Sequence, residues 1–437
     1  MNKKKGLRIG NYRITPLGIG TLCALILVAA ALILYPIINR GTSKSTDLTV
    51  KNSNTPLVED TPSVVTEPTD KPTPRPSPVP ISEPLPREAT IRFLGDITIE
   101  KNLLYSAADM QTQTFDFSSM FSLINDSISS ADYTVANVNG TLGGTASSPS
   151  GDEKKITPSS LIDCLKDSGV DMIMAGGRHS MDGGLSELQG TLTNLELAGV
   201  EPLGINKTPE TAGQARIVDI NGIQVGFLGY TENLNGGADR YDNGTLERLN
   251  LVTRRNAPSA ISEAKQAGAE VIVVVIDWGT RYELTPSTNQ GNIATILTNA
   301  GADVILGCGP SVIQPLMYVT ASDGSGHRSL CLCSAGNLLS DQKDAGKDCG
   351  FIFEFALREQ DDGTVVIENA KCIPTYVLRY QGSTQFYQYR TLAIGQWINR
   401  GNQELLDGMS YADVQRMELY WNRFSQMYGS NAELIVE

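Results

Sequence analysis

The stretch Ser168-Gly169-Val170-Asp171-Met172-Ile173 decides the fold, because its pattern returns as Ala267-Gly268-Ala269-Glu270-Val271-Ile272 and as Ala300-Gly301-Ala302-Asp303-Val304-Ile305. In each copy a helix runs out into a glycine able to take the left-handed cap, an acidic residue follows, and a strand begins. The helix before the first copy has its own start signal. Thr157-Pro158 offers an N-cap and a proline at the first helical position, and Leu161, Cys164 and Leu165 mark an inner face. The runs after the copies, Met172–Ala175, Val271–Ile276 and Val304–Leu306, are short and continuously apolar, as suits strands covered by helices.

Working outward, Thr90–Leu94 and Tyr133–Ala136 read as earlier strands, and Ala215–Ile220 with Gln224–Tyr230 flank the hairpin signal Asn221-Gly222. Ser329–Ser334 follows, then Phe351–Leu357 and Thr364–Ile373 around the turn Asp361-Asp362-Gly363. This order is α/β with antiparallel additions, a layered sandwich of two sheets flanked by helices. Near the end, Ser410 and Asp413 form a capping box, and Tyr411, Val414, Met417, Trp421, Phe424 and Tyr428 line one face of a final helix, read as core packing.

The first ninety residues are of another kind. Leu17–Ile38 is an uncharged apolar run long enough to cross a membrane, preceded by Lys3, Lys4, Lys5, Arg8 and Arg13. The positive-inside rule puts the N-terminus in the cytoplasm and the rest outside. The run is longer than a signal-peptide core and ends in Tyr35-Pro36-Ile37 rather than a small-x-small cleavage site, which favours an uncleaved anchor. The expected organisation is a cytoplasmic basic segment over 1–16, a transmembrane helix over 17–38 and a Pro/Thr/Ser-rich stalk over 39–87. A main domain over 88–380 and a C-terminal helical extension over 381–437 complete it.

The chain carries a net charge of −13; its first fifty residues hold seven Lys or Arg and one Asp, a balance of +6, so the remainder is −19. An acidic ectodomain argues against DNA, RNA or anionic lipid as a partner. The seven cysteines show no Cys-x-x-Cys and no framework, though one bridge among those of the second half is open to an oxidising compartment.

In an open α/β sheet, ligands bind beyond the carboxyl ends of the strands. The strand exits here are Gly95-Asp96, Asn137-Val138-Asn139, Gly177-Arg178-His179 with Asp182, Asp277-Trp278-Gly279, and Gly307-Cys308-Gly309-Pro310-Ser311. Several carry glycines that let backbone or ligand approach closely. No Gly-x-Ser-x-Gly, Walker A or His-Glu-x-x-His is present.

Together with Leu165–Gly204, Gly301–Gly307, Pro310 with Gln314, and Ser334-Ala335-Gly336-Asn337, these exits make the chain resemble the CapA-type capsule synthesis family. That family is named for poly-γ-glutamate capsule formation and is related to the calcineurin-like metallophosphatases. The resemblance implies a metallophosphatase-like sandwich behind the transmembrane helix, with a candidate pocket of Asp96, Asn137, Asn139, Arg178, His179, Asp182, Asp277, Trp278, Cys308, Ser311 and Asn337. It also implies a membrane-anchored role in capsule or envelope polymer biosynthesis or export, with an anionic or wall polymer or envelope assembly proteins as partners.

The departures from the family pattern bear on catalysis. Asn139 stands where the family has Glu, Arg178 where it has Asn, Asp277 where it has His, and Cys308, Gly309 and Ser311 each replace a histidine. A two-metal hydrolytic site needs imidazole and carboxylate ligands from several strands, and this chain has only two histidines, His179 and His327. The expectation is therefore no cofactor and a non-catalytic binding or assembly role. The alternative is a hydrolase with a rebuilt site, a single Zn or Mn held by Asp96, His179, Asp277 and Cys308. Without a metal, the Arg178 guanidinium is expected to bridge Asp96 and Asp277.

Overall fold

The computed structural model describes residues 7–9, 12–14, 85–144, 149–382, 385–398, 404–428 and 433–434. The expected membrane span over 17–38, and all but the last residues of the expected stalk, lie outside them. Among the described residues no helix is long and apolar enough to cross a membrane. The chain divides into two units, Met1–Pro80 and Ile81–Glu437. In the first, Leu7–Ile9 pairs antiparallel with Tyr12–Ile14.

The second unit opens with four parallel strands of one sheet: β1 (Glu88–Ile97), β2 (Tyr133–Val138), β3 (Met172–Met174) and β4 (Glu201–Leu203). A second sheet then takes β5 (Arg216–Ile220), β6 (Ile223–Thr231), β7 (Val271–Asp277), β8 (Val304–Cys308), β9 (Ile313–Thr320) and β10 (Arg328–Ala335), in the order β5-β6-β7-β8-β10-β9. Its four inner strands are parallel and its two edges antiparallel. The chain returns to the first sheet with β11 (Asn337–Leu339), β12 (Cys349–Glu359), β13 (Val365–Gln381) and β14 (Tyr387–Ala393). The first sheet runs β4-β3-β2-β1-β12-β13-β14, with β11 against β1.

Alternation along the strands builds the layers. Ile91 and Phe93 of β1, Val273 and Val275 of β7, and Phe351, Phe353 and Phe355 of β12 face the core between the sheets. Tyr133 of one sheet stacks on Phe227 of the other, with ring centroids 5.4 Å apart. The outward residues of the first sheet, such as Ala136 and Ile173, pack under α1 (Lys101–Ala107), α2 (Ser160–Asp167) and α3 (Gly184–Ala198). Those of the second, such as Ile272, Val274 and Ile276, pack under α4 (Asn256–Gln266) and α5 (Thr288–Ala300). The expected layered sandwich is present. Helix α2 begins at Ser160, because Thr157-Pro158 belongs to a short strand, Ile156–Pro158.

The glycines of the recurring pattern, Gly169, Gly268 and Gly301, all take positive φ. The acidic residue has a more specific role than ending a helix. The Asp171 carboxylate accepts the Thr134 N–H at 2.9 Å while its own N–H donates to the Thr134 carbonyl. Glu270 holds Gln224 in the same way at 2.9 Å, and Asp303 holds Ile272 at 2.8 Å. Asp132, before β2, does the same to Thr90 at 2.8 Å. Each acid thus clamps the start of the neighbouring parallel strand and fixes its register. Asp303→Ala should lower stability by about 1–2 kcal/mol, read by urea unfolding, because it leaves the Ile272 N–H without that acceptor.

The C-terminal segment differs from the expected helical extension. It continues the first sheet as β14, antiparallel to β13. Its helix α6 (Tyr411–Tyr428) packs into the inter-sheet core, with Phe424 and Tyr428 edge-on to Phe351 at 4.9 and 5.1 Å. The Ser410–Asp413 capping box forms. Tyr411, expected on the inner face, is 72% exposed, and Tyr420 is buried in place of Trp421. The reason is polar: the Tyr420 hydroxyl donates to Asp348 at 2.6 Å and accepts from the Gly346 N–H at 2.8 Å. Cys308, Cys331, Cys333, Cys349 and Cys372 are all buried free thiols, so the bridge left open by the sequence is not made among them.

Candidate functional site

The exits of both sheets meet over one buried carboxylate pair. A bulge in β1 between Leu94 and Asp96 re-aims the strand end. It needs glycine at 95, since a Cβ there would lie 2.7 Å from the Gly336 carbonyl oxygen. Asp96 then sits fully buried, accepting from Asn137 Nδ2 at 2.8 Å and from the Gly309 N–H at 3.2 Å. Burial first, and then the charge of Asp277, push its carboxyl up to about 7.

Asp277, at the end of β7, is wedged between two glycines. A Cβ on Gly177 would fall 2.8 Å from Oδ2, and one on Gly309, which has φ +101°, would fall 2.4 Å from Oδ1. Its acid is also raised by burial, opposed mainly by the N–H of Arg178, which donates to Oδ2 at 2.7 Å. The expected guanidinium bridge is not formed. The Arg178 Nη2 donates to the Gly279 carbonyl at 3.3 Å, and Nε finds no partner among the described residues. With no side chain at 177, the backbone comes close enough to take the role given to the guanidinium.

The other exit residues sort into groups around this pair. The Cys308 thiol donates to the Ile276 carbonyl at 3.3 Å and is raised well above its usual value by burial and the two aspartates. Asn337 lies level with Asp96 in the β11–β1 pairing, and its amide donates to the carbonyls of Ser311 and Lys347 at 3.1 and 2.7 Å. Ser311 is buried with φ +58°. Asn139 is buried, and among the described residues the Oδ1 atoms of Asn137, Asn139 and Asn337 have no partner. Trp278 is not in the pocket: it is fully buried under α5 with Ile293 and Leu297, its indole N–H donating to the Cys333 carbonyl at 2.8 Å.

His179 and Asp182 form a second group, facing a cleft of about 610 Å³. His179 Nδ1 lies 2.6 Å from Asp182 Oδ2, which also accepts the Lys155 N–H at 2.7 Å, while Oδ1 accepts from Asn235 at 2.8 Å. His327 is elsewhere, its Nε2 2.8 Å from the Ala302 carbonyl oxygen. Sequence reasoning passed over Lys155 and Arg281, which line the cleft with His179. Arg281 also opposes, as a lesser influence, the upward shift of both Asp96 and Asp277. Its only signal was a place four residues past Asp277; Lys155 had none.

The metals implied by the resemblance do not fit this donor set. Backbone and side-chain N–H groups point at the aspartate oxygens that a cation would need. One ring nitrogen of His179 is committed to Asp182, and Cys308 remains a thiol directed at a carbonyl. Among the described residues no three His, Cys, Asp or Glu side chains gather as a metal-binding group, so Asp96, His179, Asp277 and Cys308 do not assemble the rebuilt site either.

Comparison with known proteins bears on residues 90–342, which match the family described as bacterial capsule synthesis protein PGA_cap. The chain is 24% identical over 209 residues to the capsule biosynthesis protein CapA of Bacillus anthracis, covering 47% of this chain and 48% of that protein. It is 24% identical over 193 residues to the PGA biosynthesis protein CapA of Bacillus subtilis (strain 168), covering 41% and 45%. It therefore spans about half the length of the curated relatives it matches. Among solved structures, the Haemophilus influenzae NAD nucleotidase NadN aligns at TM-score 0.40 and 12% identity over 81% of this chain and 58% of that one. The calcineurin-like phosphoesterase YfkN from Bacillus subtilis aligns at TM-score 0.38 and 13% identity over 78% and 99%. With the match running from β1 through Gln342, over more than half of the chain, this chain belongs to the bacterial capsule synthesis family.

Proposed function

We propose that this chain is a membrane-anchored, extracytoplasmic member of its family that serves capsule or cell-envelope polymer biosynthesis or export by binding or assembly, without hydrolysis. The anchor is the uncharged run 17–38 behind its basic segment, and the proline-rich stretch over 39–87 serves as the stalk. One observation carries the non-catalytic reading. The two carboxylates best placed to hold a metal, Asp96 and Asp277, already accept N–H groups from Asn137, Gly309 and Arg178. A Lewis-acid mechanism needs those lone pairs for the ion and further ligands around it.

The full chain, extracted from membranes with detergent and incubated with Mn²⁺, Zn²⁺ or Mg²⁺, should retain no stoichiometric metal by elemental analysis. It should also leave p-nitrophenyl phosphate and its diesters intact. Metal-dependent turnover that disappears in Asp96→Ala would establish the rebuilt hydrolase instead.

A further inference from the structure

The N-terminal ribbon is amphipathic by its register. Its pairs are Leu7–Ile14, Arg8–Arg13 and Ile9–Tyr12, with only Gly10 and Asn11 between the two strands. Gly-Asn is one of the two-residue connections that tight hairpins favour. Successive residues of a strand belong to opposite faces, so both apolar pairs share one face of the ribbon and the arginine pair holds the other. Lys3, Lys4 and Lys5 stand just before it.

A ribbon of three pairs is marginal in water, so its apolar face needs cover. Three observations point to what supplies it. Thr15 and Pro16 alone separate Ile14 from Leu17, where the uncharged run begins. Those three chain steps span at most about 11 Å, little more than the headgroup layer on one side of a bilayer. The second observation is charge: residues 1–16 hold five Lys or Arg and no acid, and the first acidic residue of the chain is Asp47. The acidic ectodomain repels anionic lipid, but this segment has the opposite sign. The third is the Arg8–Arg13 pair itself. Like charges directly opposite in an antiparallel register resist pairing, and a nearby anion relieves them. A second copy of the ribbon would bring two more arginines and add to the repulsion.

We propose that Leu7–Ile14 is a lipid-docking hairpin lying on the cytoplasmic leaflet, its Leu7, Ile9, Tyr12 and Ile14 face toward the acyl boundary and Arg8 and Arg13 among anionic phospholipid headgroups. The inference rests on the membrane-anchored reading above and adds a second grip beside the span, one that depends on leaflet composition. Tyr12 suits this depth, since a ring with a polar hydroxyl favours the membrane–water interface. So small an apolar face cannot hold a protein on a membrane alone. The hairpin therefore responds to leaflet charge while the span does the anchoring.

The test places the full chain in nanodiscs of phosphatidylcholine with and without phosphatidylglycerol, and follows amide hydrogen exchange by mass spectrometry. Segment 7–14 should exchange about tenfold more slowly when phosphatidylglycerol is present. Arg8→Gln with Arg13→Gln should remove that difference, and Arg8→Lys with Arg13→Lys should keep most of it. Ile9→Ser with Tyr12→Ser should speed exchange of the segment in both lipids. Exchange across 88–380 should be the same in every variant, which controls for folding. Equal exchange of 7–14 in the two lipids, with 17–38 protected, would overturn the hairpin docking and leave the anchor in place. Protection of 7–14 only in discs holding two copies would give the cover to a second chain and overturn the lipid assignment. A chain that does not enter the discs, or whose 17–38 exchanges freely in them, would overturn the anchored reading itself.

Discussion

Arg92→Ala should destabilise the domain by about 3–5 kcal/mol, the largest loss expected from any single change considered for this protein. Arg92 lies in the middle of β1 and is 3% exposed; its Nε donates to Glu354 of β12 at 2.8 Å, and Nη2 lies 2.7 Å from the same oxygen. Nη1 donates to the Ser127 carbonyl, tying the short helix Asn125–Ser129 before β2 to the same arginine. Removing it leaves the Glu354 carboxylate, 7% exposed, with Lys371 at 3.4 Å as its remaining cation among the described residues. A buried charge stripped of its main partner costs far more than the intact pair contributes. Arg92→Met combined with Glu354→Gln should therefore recover much of what Arg92→Ala loses. Urea unfolding of the three proteins decides it, and equal midpoints for Arg92→Ala and the parent would refute the assignment.

The second large effect has the opposite sign and depends on pH. Asp96 in the folded protein holds its proton up to about pH 7, because burial and the neighbouring Asp277 oppose its charge. In the unfolded chain an aspartate releases its proton near pH 4. Between those values the folded state binds the extra proton, so the contribution of Asp96 is fully present below the unfolded value and is lost as pH rises toward 7. An Asp96→Asn side chain has no proton to lose. The stability of this variant relative to the parent should grow by about 2–3 kcal/mol between pH 5 and pH 8. A metal held by Asp96 would reverse the sign, since the variant would then forfeit the ligand at the higher pH. Thermal melts of both proteins at the two pH values read the difference directly.

The framework was legible because it is written in local chemistry. Glycines at helix ends and apolar runs mark β3, β7 and β8, and Asn221-Gly222 marks the β5–β6 hairpin. Strand β9 was not legible, since Pro315 interrupts it and β propensity then reads as edge or loop. It is indeed an edge strand. Strand β14 escaped because Tyr387–Ala393 mixes Gln388 and Arg390 into its run and depends on β13 for pairing. In the site, Asp96, Asn137, Asp277 and Cys308 could be placed from strand exits alone. What could not be read was direction: whether Arg178 presents its backbone or its guanidinium, and whether Trp278 turns to the pocket or to α5. Periodicity fixes which face a residue occupies on a regular element, and neither residue lies on one.

The acid clamps of the recurring pattern have a consequence for how such a domain can change. Asp132, Asp171, Glu270 and Asp303 all act where the parallel strands begin, while Asp96, Asn137, Asp277 and Cys308 lie where strands finish. Alignment and chemistry are therefore housed at opposite ends of the same sheets. A substitution at Asp277 or Cys308 therefore leaves untouched the four carboxylates that keep neighbouring strands in step. The architecture insulates its scaffold from its own working edge, so residues at that edge can change while the domain folds to the same shape.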